Sequence, residues 1–142
     1  MKRRLAVLVQ AIALILFGSV LTASPASANA SFGWTFSGDY GIFSREFTQA
    51  NEKNIYVKVS SWSPCRVNGD NVTIYLYLYK QNFLGETQVG SMKQLDCVGT
   101  VKWSLVNPGT YRWRLLIEGQ HRDQVGLSFY ATGRTYYDGS AP

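Results

Sequence analysis

The strongest constraint on this chain is a strict alternation between residues 72 and 79. Val72, Ile74, Leu76 and Leu78 are aliphatic, and Thr73, Tyr75, Tyr77 and Tyr79 stand between them. Period two places the two sets on opposite faces of a β-strand, whereas a helix would scatter both around its axis. The same period returns at 32–36, 55–62, 101–105, 111–117 and 125–131, and more weakly at 42–48 and 86–95. Turn signals separate these stretches: Gly38-Asp39-Tyr40-Gly41, Asn68-Gly69 and Asn107-Pro108-Gly109. Thr132 to Pro142, rich in Gly, Ser and Tyr, reads as a tail.

Seven or eight short strands with short connections predict an all-β fold. The connections are too short for crossover helices, so the pairing is expected to be antiparallel. A two-sheet β-sandwich is the expected architecture, with a small β-barrel as the alternative.

The first 30 residues are set apart from this pattern. Lys2, Arg3 and Arg4 form a basic start, an apolar run follows from Leu5 to Phe17, and Pro25 precedes small residues. Ala28-Asn29-Ala30 fits a signal-peptidase site. The apolar run is shorter than the ~20 residues that span a bilayer. The expectation is a cleaved signal peptide at 1–30, of bacterial type, and one secreted, extracellular domain at 31–142, with no stable membrane insertion after cleavage.

Cys65 and Cys97 are the only cysteines. An even count behind a signal peptide predicts a disulfide. Closing that loop stabilises a small domain by about 3–4 kcal/mol in the chain-entropy model. The bridge lies between strands rather than within them, unlike that of immunoglobulin domains.

Charge excludes one class of partner. Three of the fourteen Lys and Arg lie in the leader, which leaves eleven basic against nine acidic residues. So mild a balance is not that of a nucleic-acid binder, and no nucleic acid is expected.

Catalytic signals are weak. His121 is the only histidine and sits in a polar loop as His121-Arg122-Asp123, with no nucleophile in a recognisable context. Asp70, Glu86, Asp96, Glu118 and Asp123 fall near loops or strand ends, but spacing brings no two together as glycoside hydrolysis requires. Asn68-Gly69-Asp70-Asn71 lacks the remaining ligands of a calcium loop and reads as a turn. Asn71-Val72-Thr73 is a glycosylation sequon, expected to be unmodified in a bacterial protein. No cofactor and no metal are expected.

The aromatic residues carry the functional reading. Tyr75, Tyr77 and Tyr79 share one face and form a strip about 13 Å long. Tyrosine rings with hydroxyl edges suit glycans and protein surfaces. β-propensity enriches tyrosine in strands as well, so the strip is also what a sheet would carry for its own stability. Trp62 is placed beside the strip, on the outward register of a neighbouring strand. Arg112 and Arg114 alternate with Tyr111, Trp113 and Leu115 and would face solvent, available to an acidic partner or to aromatic rings.

The sequence therefore points to a secreted, non-catalytic binding module. Its expected ligand site is Trp62, Tyr75, Tyr77, Tyr79, Arg112 and Arg114, and its partner an extracellular glycan or protein surface. A secreted protease inhibitor or antagonistic toxin is the alternative, and a small hydrolase the third reading. Neither the oligomeric state nor the buried face of the Tyr75 strand is legible.

Overall fold

The computed structural model describes residues 30–117 and 127–142. The expected leader, apart from Ala30, lies outside them, as do His121, Glu118 and Asp123. Every regular element among the described residues is a strand: β1 (Ala30–Gly38), β2 (Gly41–Phe43), β3 (Phe47–Gln49), β4 (Lys53–Ser63), β5 (Arg66–Val67), β6 (Asp70–Asn71), β7 (Thr73–Asn82), β8 (Gly85–Gln88), β9 (Lys93–Asp96), β10 (Gly99–Val106), β11 (Gly109–Ile117) and β12 (Phe129–Tyr137).

Two sheets carry the architecture, and all their pairings are antiparallel. Sheet A has the order β1-β12-β4-β10. Sheet B has β11 and β7 at its centre. Its two edges are each split: β2 and β3 both pair with β11, and β8 and β9 both pair with β7. Counting each split edge once gives four strand positions per sheet. The partnerships β1 with β12, β2/β3 with β11, β4 with β10 and β7 with β8/β9 are those of one long hairpin folded over on itself. That connectivity is a jelly roll, and it fits the expected antiparallel sandwich. β5 and β6 form a small separate hairpin.

The core lies between the sheets and is heavily aromatic. Sheet A contributes Phe32, Trp34, Phe36, Trp62 and Phe129; sheet B contributes Phe47, Ile74, Leu76, Leu78, Tyr111, Trp113 and Leu115. Trp34 meets Trp113 edge-on across the sandwich, ring centroids 5.1 Å apart. Buried polar groups are paired where they secure the layers. Trp113 Nε1 donates to Thr135 Oγ1 at 2.8 Å, joining the sheets. Gln49 is fully buried; its Nε2 donates to the carbonyls of Lys53 and Val106, and its Oε1 accepts from the Asp138 N–H.

The expected disulfide is formed between Cys65 and Cys97. It joins the segment after β4, in sheet A, to the end of β9, on the edge of sheet B.

Two sequence expectations are corrected. Thr132 to Tyr137 is not tail: it completes β12, an interior strand of sheet A flanked by β1 and β4. Its inward residues after Phe129 are Ala131, Gly133 and Thr135, small because Trp34 fills the space in front of them. A Cβ on Gly133 would stand 2.2 Å from Trp34 Cζ2.

The second correction concerns Trp62. In β4, Ile55, Val57 and Val59 face inward, Ser60 and Ser61 both face outward, and Trp62 is buried again. The β12 register slips at this point: Gly133 pairs with Val59 and Thr132 with Ser61. The additional residue is a β-bulge, which turns every later side chain to the other face. Trp62 is thus a core residue, 6% exposed, stacked on Phe36 and in tilted contact with Phe129.

Candidate functional site

The aliphatic side of β7 is buried, so its tyrosines must stand on the outer face of sheet B. Ile74, Leu76 and Leu78 are fully buried, and Tyr75, Tyr77 and Tyr79 are each half-buried. The neighbouring strand β11 shows the same division. Trp113, Leu115 and Ile117 face the core, and Arg112, Arg114 and Leu116 face outward.

Register brings the two outward sets into line. Arg112 lies opposite Tyr79, Arg114 opposite Tyr77 and Leu116 opposite Tyr75. Directly opposed side chains touch across an antiparallel pair. The result is a block three residues long and two strands wide, with no Ser, Thr or Gly in it. Its edges carry Phe43, opposite Arg114, and Gln88 and Gln94, opposite Tyr79 and Tyr75.

Phe43 organises the arginines. Its ring is 44% exposed, and the guanidinium carbons of Arg112 and Arg114 lie 4.2 and 5.1 Å from its centroid. Both distances are within cation–π range. Tyr79 adds a tilted ring 6.5 Å from Phe43, and Tyr77 stacks on Tyr79 at 6.5 Å with planes 23° apart. Phe43 was not singled out in the sequence. It lies on the short edge strand β2, Gly41–Phe43, which is too short to show a phase of alternation.

The two arginines differ electrostatically. Arg112 Nε is ion-paired with Glu86, which also accepts from Gln81. The Arg112 hydrogen bond is the main reason the Glu86 carboxyl is held below its ordinary pKa, with the Gln81 bond and the arginine's charge assisting against a smaller desolvation effect. The same pairing raises the Arg112 pKa. Arg114 has no ion-pair partner among the described residues, so its charge is the one available to an incoming group.

Of the six side chains expected to bind, the structure brings five together: Tyr75, Tyr77, Tyr79, Arg112 and Arg114. Trp62 lies apart, in the core of the other sheet. Among the described carboxylates, Glu86 and Asp96 do not converge as a hydrolase would need. Glu86 pairs opposite Gln81 and Asp96 opposite Thr73 on the same strand. Those two positions on β7 are separated by roughly 27 Å at strand rise, against about 5–10 Å between catalytic carboxylates. Among the described residues no three His, Cys, Asp or Glu are grouped as a metal site would require.

No protein-family description and no curated protein sequence matches this chain. Solved structures with a distant similarity to this chain include the following three. The mitogen derived from Yersinia pseudotuberculosis is 15% identical, with a TM-score of 0.44, over 80% of this chain and 91% of the mitogen. A protein from Sulfurospirillum deleyianum is 8% identical, with a TM-score of 0.42, over 76% of this chain and 98% of its own. The infectious bursal disease virus structure (Gx strain) is 13% identical, with a TM-score of 0.35, over 80% of this chain and 33% of its own. None of the three transfers a ligand, an activity or a partner to this chain.

Proposed function

We propose that the protein is a secreted, non-catalytic binding module that engages an extracellular protein surface bearing acidic groups through the outer face of sheet B. The observation that carries this reading is the block of Tyr75, Tyr77, Tyr79, Arg112 and Arg114 with Phe43 at its edge. Tyrosine and arginine supply much of the energy of protein interfaces: they bury large, stiff surfaces and retain polar edges. The guanidinium groups favour a protein over a neutral glycan: Arg112 and Arg114 lie 4.2 and 5.1 Å from the Phe43 ring centroid, an arginine–aromatic combination enriched at protein interfaces. A disulfide is consistent with an oxidising, extracytoplasmic compartment, and the N-terminal sequence supports export.

The test compares the protein with a Tyr77→Ser, Tyr79→Ser, Arg114→Ser variant on panels of extracellular proteins and of glycans. The expected result is saturable binding to an acidic protein, weakened at least about tenfold in the variant, with melting still cooperative. Equal binding by both forms removes the reading, and binding confined to glycans reassigns the ligand.

One observation favours a second reading, an inhibitor or antagonistic toxin that inserts a loop into its target. Phe83 and Leu84 form the tip of the β7–β8 hairpin and are 102% and 95% exposed. Under that reading Phe83→Ser with Leu84→Ser abolishes protease inhibition or the arrest of neighbouring cells, while the Tyr77, Tyr79 and Arg114 changes do not.

A further inference from the structure

A second concavity opens on a different side of the molecule, where the edges of the two sheets meet. The β8/β9 edge of sheet B is interrupted between Gln88 and Lys93, and it faces β10, the edge of sheet A. The gap leaves a cavity of about 400 Å³ walled by Val89, Gly90, Trp103 and Tyr111, with Lys80 and Lys93 at its margins. Such a volume lies within the range of small-molecule sites.

The two lysines are out of place by the pattern of the fold. Lys93 pairs opposite Leu76 and Lys80 opposite Tyr111, so both stand on the inner face of sheet B, among the apolar Leu76, Leu78, Tyr111 and Trp113. An inward ammonium needs a route to water or a counter-charge. Lys80 Nζ donates to the Pro108 carbonyl at 3.0 Å and lies 5.8 Å from the Tyr111 ring centroid. Lys93 has neither a hydrogen bond nor an ion pair from its side chain among the described residues. No Asp or Glu among the described residues lines the cavity. Lys102 is also on its wall but turns its ammonium over Tyr56, on the outer face of sheet A, 5.9 Å from the ring centroid.

A buried donor adds to this pair. Trp103 is 4% exposed, and its Nε1–H finds no acceptor among the described residues. The indole N–H groups of Trp34 and Trp62 share that condition deep between the sheets, but only Trp103 forms a cavity wall. Gly90 borders its pyrrole edge. A Cβ there would lie 3.4 Å from Trp103 Cδ1 and 4.0 Å from Nε1, and φ at this glycine is +66°, a value that side chains disfavour. A Cβ would make ordinary contact with the indole, so it is the backbone conformation that calls for glycine here.

We propose that this cavity binds a small oxyanion-bearing ligand. Its carboxylate or phosphate is taken by Lys93, whose ammonium has no partner among the described residues, its body rests against Val89 and the Trp103 indole, and Lys80 adds positive charge across the cavity. The site is separate from the outer face of sheet B and does not depend on the function proposed for that face.

The test is a titration followed by amide and indole NMR at constant ionic strength, with D-glucuronate, inorganic phosphate and D-glucose as probes. Glucuronate or phosphate should shift the Gly90 amide and the Trp103 indole signal saturably, while the Trp113 indole, already bonded to Thr135, stays still. Glucose, the uncharged ring, should shift neither. Lys93→Gln should weaken the response about tenfold or more, because it removes a charge-assisted hydrogen bond, and Lys80→Gln should weaken it less, because it removes only charge across the cavity. Lys58→Gln, on the outer face of sheet A, should not. Saturation by glucuronate alone identifies a sugar acid as the ligand class, and saturation by phosphate a free phosphoanion. Absence of a saturable shift at ~20 mM of either anion, far weaker than a functional small-molecule site, overturns the proposal. So does a response that survives both lysine substitutions.

Discussion

The outer faces of the two sheets answer to the same physical demand and are built differently. Each covers one side of the sandwich and needs side chains that tolerate water and favour extended backbone. On sheet A the interior strands β12 and β4 meet this with a mixture: Tyr130, Thr132, Arg134 and Tyr136 beside Tyr56, Lys58, Ser61 and Ser63. Polar groups there satisfy one another. Ser61 and Thr132 hydroxyls lie 2.7 Å apart, and Arg134 donates to Ser31 at 3.0 Å. On sheet B the central outward positions of β7 and β11 are three tyrosines, two arginines and a leucine, with Thr73, Gln81 and Thr110 beyond them, and Arg114 is left without an ion-pair partner among the described residues. Sheet A shows that the fold does not require such a concentration of large side chains on its exterior. The closer grouping of large side chains on sheet B is the difference on which the proposed binding role rests.

The comparison breaks if the outer face of sheet B proves as important to stability as the interior. The interior sets the scale. Trp113→Ala, which empties the centre of the core and leaves Thr135 without its indole donor, is expected to lower unfolding free energy by about 3–5 kcal/mol in urea denaturation. Replacing Tyr75, Tyr77 and Tyr79 together with Thr, a residue of good β-propensity, is expected to cost only about 1–2 kcal/mol, from lost cross-strand contacts. A triple-variant loss that reaches the Trp113 value would make the tyrosines structural, and sheet B would differ from sheet A only in how it is held together.

The same contrast decides what the sequence could disclose. β7 is legible because its two faces are chemically distinct along its own length, aliphatic inward and tyrosine outward. The pairing of tyrosines with arginines follows from the β7–β11 register, which no local pattern encodes. β12 is an interior strand as well, yet from Thr132 onward it reads as a tail, because the bulk that fills its inner face belongs to Trp34 on β1. Ala131, Gly133 and Thr135 are small in order to receive that ring, and small polar residues resemble a loop when read in one dimension. Trp62 was misplaced by a single residue: the bulge at Ser60 reverses the phase of β4, and the bulge depends on its pairing with β12. Phe43 escaped notice because a three-residue edge strand is too short to show a period.

The smallest expected effect separates the two arginines. Glu86 is held below its ordinary pKa mainly by its hydrogen bond with Arg112. A carboxylate with a lowered folded-state pKa stabilises the protein above its unfolded pKa, near 4.3. That contribution fades as pH falls through the lowered folded value. Both side chains are partly exposed, so the effect on melting temperature is expected to be slight and to shrink with salt. Glu86→Gln should remove this part of the acid dependence, giving a flatter melting profile below about pH 4.5. It should also free Arg112 to act with Arg114. Binding of an acidic partner at neutral pH should then tighten in Glu86→Gln and weaken in Arg114→Gln. If Glu86→Gln weakens binding, the ion pair is positioning Arg112 for the partner, and outer-face recognition needs both arginines held in place.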